Sequence, residues 1–127
     1  MLNNKGQSLV LFILIIPIFL LLFVLVIDVG NMISIRRELD NINHITIDYG
    51  LKKIDTVNEE ELKEIIKLND EKVIINSVVI EENKITINLS KQYDGYFLGL
   101  LKIKLFNIKS SYIGEIKDYN KVIERIK

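Results

Sequence analysis

The side chains that could carry chemistry in this sequence are few and scattered. His44 is the only histidine and there is no cysteine, so neither a thiolate nor a cysteine-ligated metal is available. Ser110 and Ser111 have no histidine-based partner in the sequence, and no glycine-rich phosphate loop or metal-ligand spacing occurs. We therefore predict no catalytic, cofactor-binding or metal-binding residues, and we expect a protein that is not an enzyme.

The remaining ionisable residues of interest have ordinary structural explanations. A lone histidine in a helix is far more often a surface or packing residue than a ligand, and we expect this of His44. The acidic run Glu59–Glu61 could bind a cation, but acidic side chains also favour the first turn of a helix, next to the positive end of its dipole. Asp28 leaves two alternatives open: it marks the edge of a membrane segment, or it pairs with Arg36 or Arg37 of a neighbouring subunit.

The element that positions Asp28 is the apolar run directly before it, from Leu9 to Ile27, which contains no charged residue. As a helix this run would be roughly 28 Å long, close to the hydrocarbon thickness of a bilayer. It is longer than the apolar region of a cleaved secretory signal, and no A-x-A-like site follows it. We predict a transmembrane helix over 9–27, with Pro17 tolerated inside it, after a polar leader over 1–8.

The helical pattern continues beyond the membrane edge. Apolar residues recur there at spacings of three or four, which places them on one face of a helix, and Gly50 is suited to end it. We predict an amphipathic continuation over 28–50. Its apolar face needs a partner surface, either the chain's own C-terminal domain or neighbouring copies. The face consists of Met32, Ile35, Leu39, Ile42, Ile45 and Tyr49.

The following segment, 55–127, predicts a small α/β domain that begins with a short helix. Asn58 before three glutamates is typical of a helix N-cap with an acidic first turn, and Leu62, Ile65 and Ile66 supply the apolar face. This part of the chain is nearly neutral, as is the whole sequence with 17 basic and 17 acidic side chains. Nucleic-acid binding requires a basic surface, so we expect no nucleic-acid partner.

Extended structure is predicted from residue 72 onwards. The stretch 72–81 is β-branched and apolar, and strict alternation over 84–90 places Ile85, Ile87 and Leu89 on one face. Glu82 and Asn83 between the two predict a tight hairpin turn. Residues 91–99 are turn-like, a third strand is expected over about 102–116, and the charged tail from 117 is expected to be a frayed helix. The predicted fold class is α+β and pilin-like: one long N-terminal helix, one short helix and an antiparallel β-meander of about three strands.

Several motifs of the N-terminal segment follow one another in a definite order. The motifs are Lys5-Gly6-Gln7-Ser8, Phe12, Pro17, Ile27-Asp28-Val29-Gly30, Arg36-Arg37-x-Leu39 and Ile47-Asp48-Tyr49-Gly50-Leu51. Their order and spacing resemble the TadE/TadG-like pseudopilins of Flp/Tad (type IVc) pilus systems, in which a leader ending in Gly precedes an apolar helix that contains a Pro.

The resemblance implies a membrane-anchored structural component of a Flp/Tad-type pilus or related secretion apparatus, acting by subunit packing. Its partners would be the membrane, other pilus or pseudopilin subunits and the assembly platform. The helix-packing interface would consist of Pro17, Asp28, Met32, Ile35, Leu39 and Ile42. The alternative is an unrelated single-pass membrane protein with a small ligand-binding or regulatory outer domain.

The resemblance also bears on processing of the leader. It implies a prepilin-peptidase site between Gly6 and Gln7, with that peptidase as a further partner. Leu11, however, stands where TadE-like members that resemble type IV prepilins carry a Glu, and TadG-like members often lack that Glu. Cleavage after Gly6 and a permanent uncleaved anchor therefore both stay open.

The flanking charges and the resemblance predict opposite membrane topologies. Lys5 on one side of the apolar run against Arg36 and Arg37 on the other weakly favours a cytoplasmic C-terminus. The resemblance implies a single-pass protein of the bacterial cytoplasmic membrane whose C-terminal domain is extracytoplasmic. We follow the resemblance, because the charge difference is small.

Overall fold

The computed structural model describes residues 2–97 and 106–126. It contains one long helix, one short helix and four strands: α1 (Leu2–Lys52), α2 (Glu59–Asn69), β1 (Ile74–Glu81), β2 (Lys84–Tyr93), β3 (Phe106–Lys117) and β4 (Asn120–Arg125). The strands form one antiparallel meander in the order β1-β2-β3-β4. The predicted α+β class is confirmed, with four strands in place of about three.

Helix α1 is longer at both ends than the sequence pattern predicts. It includes most of the polar leader and continues past Gly50 to Lys52. Gly50 does not have the left-handed backbone of a helix-ending glycine. A Cβ at this position would lie 2.5 Å from Ile85 Cδ1 and 3.2 Å from Leu62 Cδ2. The prediction that Gly50 ends the helix is therefore wrong. The absence of a side chain at this position instead allows α1 to lie close to β2 and α2.

The hydrophobic core lies between the second half of α1 and one face of the sheet, and α2 closes one end. The predicted inward face of β2 is confirmed, since Ile85, Ile87 and Leu89 are fully buried. The other core residues are Leu39, Ile42, Ile47, Leu51, Leu62, Ile66, Val73, Val78, Ile108 and Tyr112.

The buried stripe of α1 differs in part from the predicted apolar face. Leu39 and Ile42 are buried as expected of that face, but Ile45 is 45% exposed. Asn43 and Thr46 are fully buried in its place. The buried stripe of α1 therefore includes two polar residues, and apolar periodicity alone cannot identify them.

The predicted start of α2 and the predicted β1–β2 turn are both confirmed. The Asn58 side chain caps α2 by accepting a hydrogen bond from the Glu61 backbone N–H at 2.8 Å. Glu81 pairs with Lys84 across the turn, and Asn83 adopts a φ of 60°. Asparagine tolerates this left-handed conformation better than most residues.

The end of the chain corrects the sequence-based prediction. Residues 120–125, expected in a frayed helix, form β4, which pairs with β3 through a turn at Asp118 and Tyr119. Residues 91–93, expected in a turn, extend β2. A short helical segment follows at 96–97, whereas residues 98–105, which include the predicted start of the third strand, lie outside the described residues.

Candidate assembly surface

In the first half of α1, before Asp28, no residue belongs to the hydrophobic core that the described residues form with the sheet and α2. The exposed apolar side chains of this half between Leu9 and Ile27 are 44% to 68% accessible, and Ile15, Val24 and Leu25 are half-buried. Within the described part of the chain, α1 is the one helix long and apolar enough to cross a membrane, and none of its most apolar window is buried. A surface this apolar requires a non-aqueous environment, which lipid or other membrane helices supply.

The predicted site residues of this half lie on its open surface. Pro17 is inside α1 and exposed, with helix on both sides of it. Gly6 and Gln7, the predicted peptidase site, are helical and exposed, and a Cβ at Gly6 would meet no atom within 4 Å. No part of the described domain covers these three residues, so they are accessible to a partner.

The other predicted interface residues lie against the chain's own sheet. Leu39 is fully buried and Ile42 is 3% exposed, while Met32 and Ile35 are half-buried and pack against the same core. The partner surface of this face is therefore the chain's own domain, the first of the two alternatives. Leu39 and Ile42 in particular present no surface to another subunit.

Asp28 forms the junction between the bare and the covered half of α1. It is fully buried, although it follows the last residue of the apolar run. Its Oδ1 accepts hydrogen bonds from the Tyr93 hydroxyl at 2.8 Å and from the Tyr96 backbone N–H at 2.9 Å. Its Oδ2 accepts a hydrogen bond from the Phe97 backbone N–H at 2.6 Å. We call this arrangement the Asp28 clasp.

The clasp ties the segment after β2 to α1 and requires a glycine beside it. A Cβ at Gly95 would lie 2.9 Å from Asp28 Oδ2 and 3.0 Å from Tyr93 Cε2. Burial raises the pKa of the Tyr93 hydroxyl; the hydrogen bond from Asn31 Nδ2, 3.1 Å away, opposes this rise, and the Asp28 carboxylate adds to it. Tyr93 therefore stays a neutral donor to Asp28.

Neither sequence-based alternative for Asp28 included this role. Arg36 and Arg37 are exposed, and neither makes an ion pair with another described residue. The partners of Asp28 are more than 60 positions away along the chain, so local spacing carried no signal for them. The only hint was a glycine between two tyrosines in the segment 93–96.

Polar bridges fasten the covered half of α1 to the domain. In the first, Lys91 Nζ of β2 lies 2.6 Å from Asp70 Oδ2 and 3.7 Å from Glu38 Oε2. The Lys91 ammonium lowers the pKa of Asp70 from 3.8 to about 2, and the Lys72 backbone N–H acts in the same direction. The Asp70 carboxylate in turn raises the pKa of Lys91.

The second bridge joins α1 to β3 and β4. The Ser110 hydroxyl donates to Asp40 Oδ1 at 2.6 Å and accepts from Asn43 Nδ2 at 2.8 Å. Arg125 Nη2 of β4 donates to Asp40 Oδ2. Ser110 thus has a carboxylate and an amide as its partners and is only 2% exposed, which makes it part of a structural bridge.

The other singled-out residues have structural contacts. The His44 ring meets the Tyr112 ring edge-on with centroids 4.8 Å apart. Glu59–Glu61 occupy the first turn of α2, where the Glu61 carboxylate accepts a hydrogen bond from the Tyr49 hydroxyl at 2.5 Å. Among the described residues no three or more His, Cys, Asp and Glu side chains are grouped to hold a metal ion.

A comparison with known protein families finds a match to the bare half of α1 and its junction. No curated protein and no solved structure matches the chain. The model of one protein family, described as TadE-like protein, matches residues 6–42. The match begins at the predicted leader glycine, runs through the bare helix and the Asp28 junction, and ends at Ile42 in the core. The resemblance of this N-terminal segment is therefore confirmed as a resemblance to the TadE-like protein family.

Proposed function

We propose that this chain is a pseudopilin-like, membrane-anchored structural component of a Flp/Tad-type pilus or a related secretion apparatus, and that it acts by subunit packing. The observation that carries the proposal is the division of α1: residues 9–27 are bare, whereas after Asp28 one face of the helix is covered by the chain's own sheet. The TadE-like match over 6–42 supports the choice of apparatus.

The packing surface is the bare half of α1. Between helices in lipid the hydrophobic effect gives no net drive, so association depends on shape complementarity and close contact. Phe19, Leu22, Phe23 and Val26 line a shallow and almost wholly apolar groove on one side of the helix. Their spacing of three and four residues makes a continuous ridge and groove on one face, the geometry that helix–helix packing uses. A neighbouring membrane helix is the occupant that we propose.

Orientation and processing belong to the same proposal. The chain would lie in the bacterial cytoplasmic membrane with its domain on the extracytoplasmic side, and a prepilin peptidase would cut between Gly6 and Gln7. Intact-mass and N-terminal analysis of protein from native membranes tests the cut. A chain that starts at Gln7 supports processing and places the leader on the cytoplasmic side, whereas a chain with the leader intact identifies a permanent anchor.

Cysteine cross-linking tests the packing. Because the natural chain has no cysteine, a Phe23→Cys variant carries a single thiol on the groove, and a Tyr119→Cys variant carries one on the exposed β3–β4 turn. We expect oxidation in native membranes to link the groove thiol to another subunit or to a component of the assembly platform, identified by mass spectrometry. The thiol on the turn is the matched control and should stay unlinked. Cross-links to no pilus component, or equal linkage of both thiols, would contradict the proposal.

A further inference from the structure

We propose that the turn held by the Asp28 clasp, residues 94–97, is a docking element that rests in the interfacial layer of the bilayer, with Tyr96 inserted among the lipid headgroups. The partner is a lipid surface. The inference rests on residues 9–27 spanning the membrane and does not depend on any role in a pilus.

The clasp fixes the depth of the turn. Asp28 follows the last apolar residue of the predicted span, so its backbone lies where hydrocarbon gives way to headgroups. The Tyr96 and Phe97 backbone N–H groups bond to the two oxygens of this one carboxylate at 2.9 and 2.6 Å. Tyr93 is held at the same level by Asp28 and Asn31. The turn therefore lies within about one helical turn, 5.4 Å, of Asp28 along the α1 axis, and the headgroup layer is roughly 5–8 Å thick on each side.

The turn exposes Asp94 and Tyr96, and the tyrosine ring suits this layer. Tyr96 is 71% exposed, although its backbone is anchored and Gly95 beside it is buried. Tyrosine combines an apolar ring with a hydroxyl, and it is enriched at membrane–water interfaces for that reason. An anchored backbone that presents an outward aromatic ring loses little further conformational entropy when the ring meets lipid.

Two cations lie near the turn, and such side chains attract lipid phosphates. A groove between α1 and β3 is lined by the apolar Val29, Met32 and Ile33 and by the cations Arg36 and Lys109. Both cations are exposed, and neither forms an ion pair with a described residue. Arg36 is about 12 Å above Asp28 along the helix, and its long side chain can reach towards lipid phosphates. Unpaired cations above an aromatic turn suit a lipid surface, which offers both phosphates and an apolar boundary.

Two single-tryptophan variants test the depth of the turn in the bilayer. The natural chain has no tryptophan, so Tyr96→Trp places a single reporter on the turn. Tyr119→Trp is the matched control, because Tyr119 is fully exposed at the β3–β4 turn. This turn lies beyond Gly114 and Glu115, which pair with Ile85 and Lys84. Ile85 packs near Gly50, and Gly50 is about 33 Å along α1 from Asp28.

The full chain would be reconstituted in phosphatidylcholine–phosphatidylglycerol vesicles that carry a nitroxide quencher either near the headgroup or deep in the acyl chain. We expect the shallow quencher to lower the emission of the Tyr96→Trp variant about twofold, since it lies in the layer that the turn occupies, and the deep quencher to act less. We also expect the emission of this variant to be blue-shifted. The emission of the Tyr119→Trp variant should be unquenched by either lipid.

Equal and unquenched emission from both variants, in protein whose near-ultraviolet circular dichroism matches wild type, would overturn the inference. Asp28→Asn in the Tyr96→Trp background tests the clasp itself: shallow quenching should fall, and unchanged quenching would show that the clasp does not set the depth. The vesicles contain no pilus component. A failure here and a failure of the cross-linking experiment are therefore distinguishable.

Discussion

The two halves of α1 have the same backbone geometry and opposite surroundings. Over 9–27 nearly every side chain is bare, whereas over 28–52 one stripe is sealed under a sheet and a second helix. The covered half has its apolar face buried inside its own chain, and the bare half has its whole circumference available. Contacts with the acyl chains of lipid and with other membrane helices are therefore expected from the first half.

The largest expected effect contrasts a leucine from each half. Leu39→Ala removes a fully buried side chain, and we expect it to lower the free energy of unfolding of the domain by about 2–5 kcal/mol through lost burial and a residual cavity. Leu20→Ala, at a position 59% exposed, should leave it unchanged. Urea unfolding of the full chain in detergent, followed by near-ultraviolet circular dichroism, measures both. An equal loss of unfolding free energy in the two variants would contradict the distinction between the two halves.

The next effect tests the boundary between them. Asp28→Asn removes one of the two acceptor oxygens and the charge of the clasp, and hydrogen bonds to charged groups contribute about 1.5–3 kcal/mol. We expect the amide protons of Tyr96 and Phe97 to exchange faster by the corresponding factor, measured by hydrogen exchange with mass spectrometry. Asp55→Asn, at an exposed carboxylate with no hydrogen bond or ion pair to another described residue, is the control and should change nothing. Slow exchange in both variants would show that the clasp is dispensable.

Two glycines sharpen the comparison further. A Cβ at Gly114 would lie 2.1 Å from Ile47 Cγ2, whereas a Cβ at Gly30 meets nothing within 4 Å. Gly114→Ala should therefore destabilise the domain by about 1–3 kcal/mol, since Ile47 is fully buried and stiff at its branched Cβ. Gly30→Ala should stabilise α1 by up to about 1 kcal/mol. Thermal melts of the two variants would be compared, and a raised melting temperature for Gly114→Ala would contradict the close approach of β3 to α1.

The smallest expected effect is a pH dependence. The pKa of Asp70 is lowered to about 2 by Lys91, so in the folded state it stays ionised below its unfolded value. Its stabilisation is complete above about pH 5 and is lost as the pH falls towards 2, with a magnitude of about 1–2 kcal/mol. The free energy of unfolding of wild type and of Asp70→Asn would be measured as the pH is lowered. The difference between the two free energies should vanish near pH 2. A difference that persists there would assign the loss to another group.

Local patterns were sufficient for much of the fold. The apolar run, the alternation of Ile85, Ile87 and Leu89, and the Asn58 cap each depend on residues within a few positions of one another, and each is present in the structure. β4 was missed because its turn at Asp118 and Tyr119 takes positive φ without a glycine. Its Val122 and Ile123 are also only half-buried, which makes its apolar pattern weak.

The missed parts of the site are long-range. Asn43 is not part of the predicted apolar face of α1, yet it is fully buried and its amide donates to Ser110, 67 positions away. Gly50 was taken for a helix end because nothing local distinguishes an ending glycine from one in close contact with Ile85. Asp28 was assigned to the membrane edge or to a neighbouring subunit, because its partners come from the end of β2 and the turn after it. Such pairs can be identified only when the packing of the sheet against the helix is known.

The alignment of α1 with the sheet has a mechanical consequence. Asp28 meets the end of β2 at Tyr93, Gly50 meets the start of β2 at Ile85, and Asp40 and Ile47 meet β3 between them. The helix thus runs along the strands, and its contacts with them are distributed over about 33 Å of its length. A force that pulls the anchor out of the bilayer along the helix axis loads all these contacts together, in shear. The domain would therefore resist detachment from its anchor far better than if α1 were joined to it by a loop.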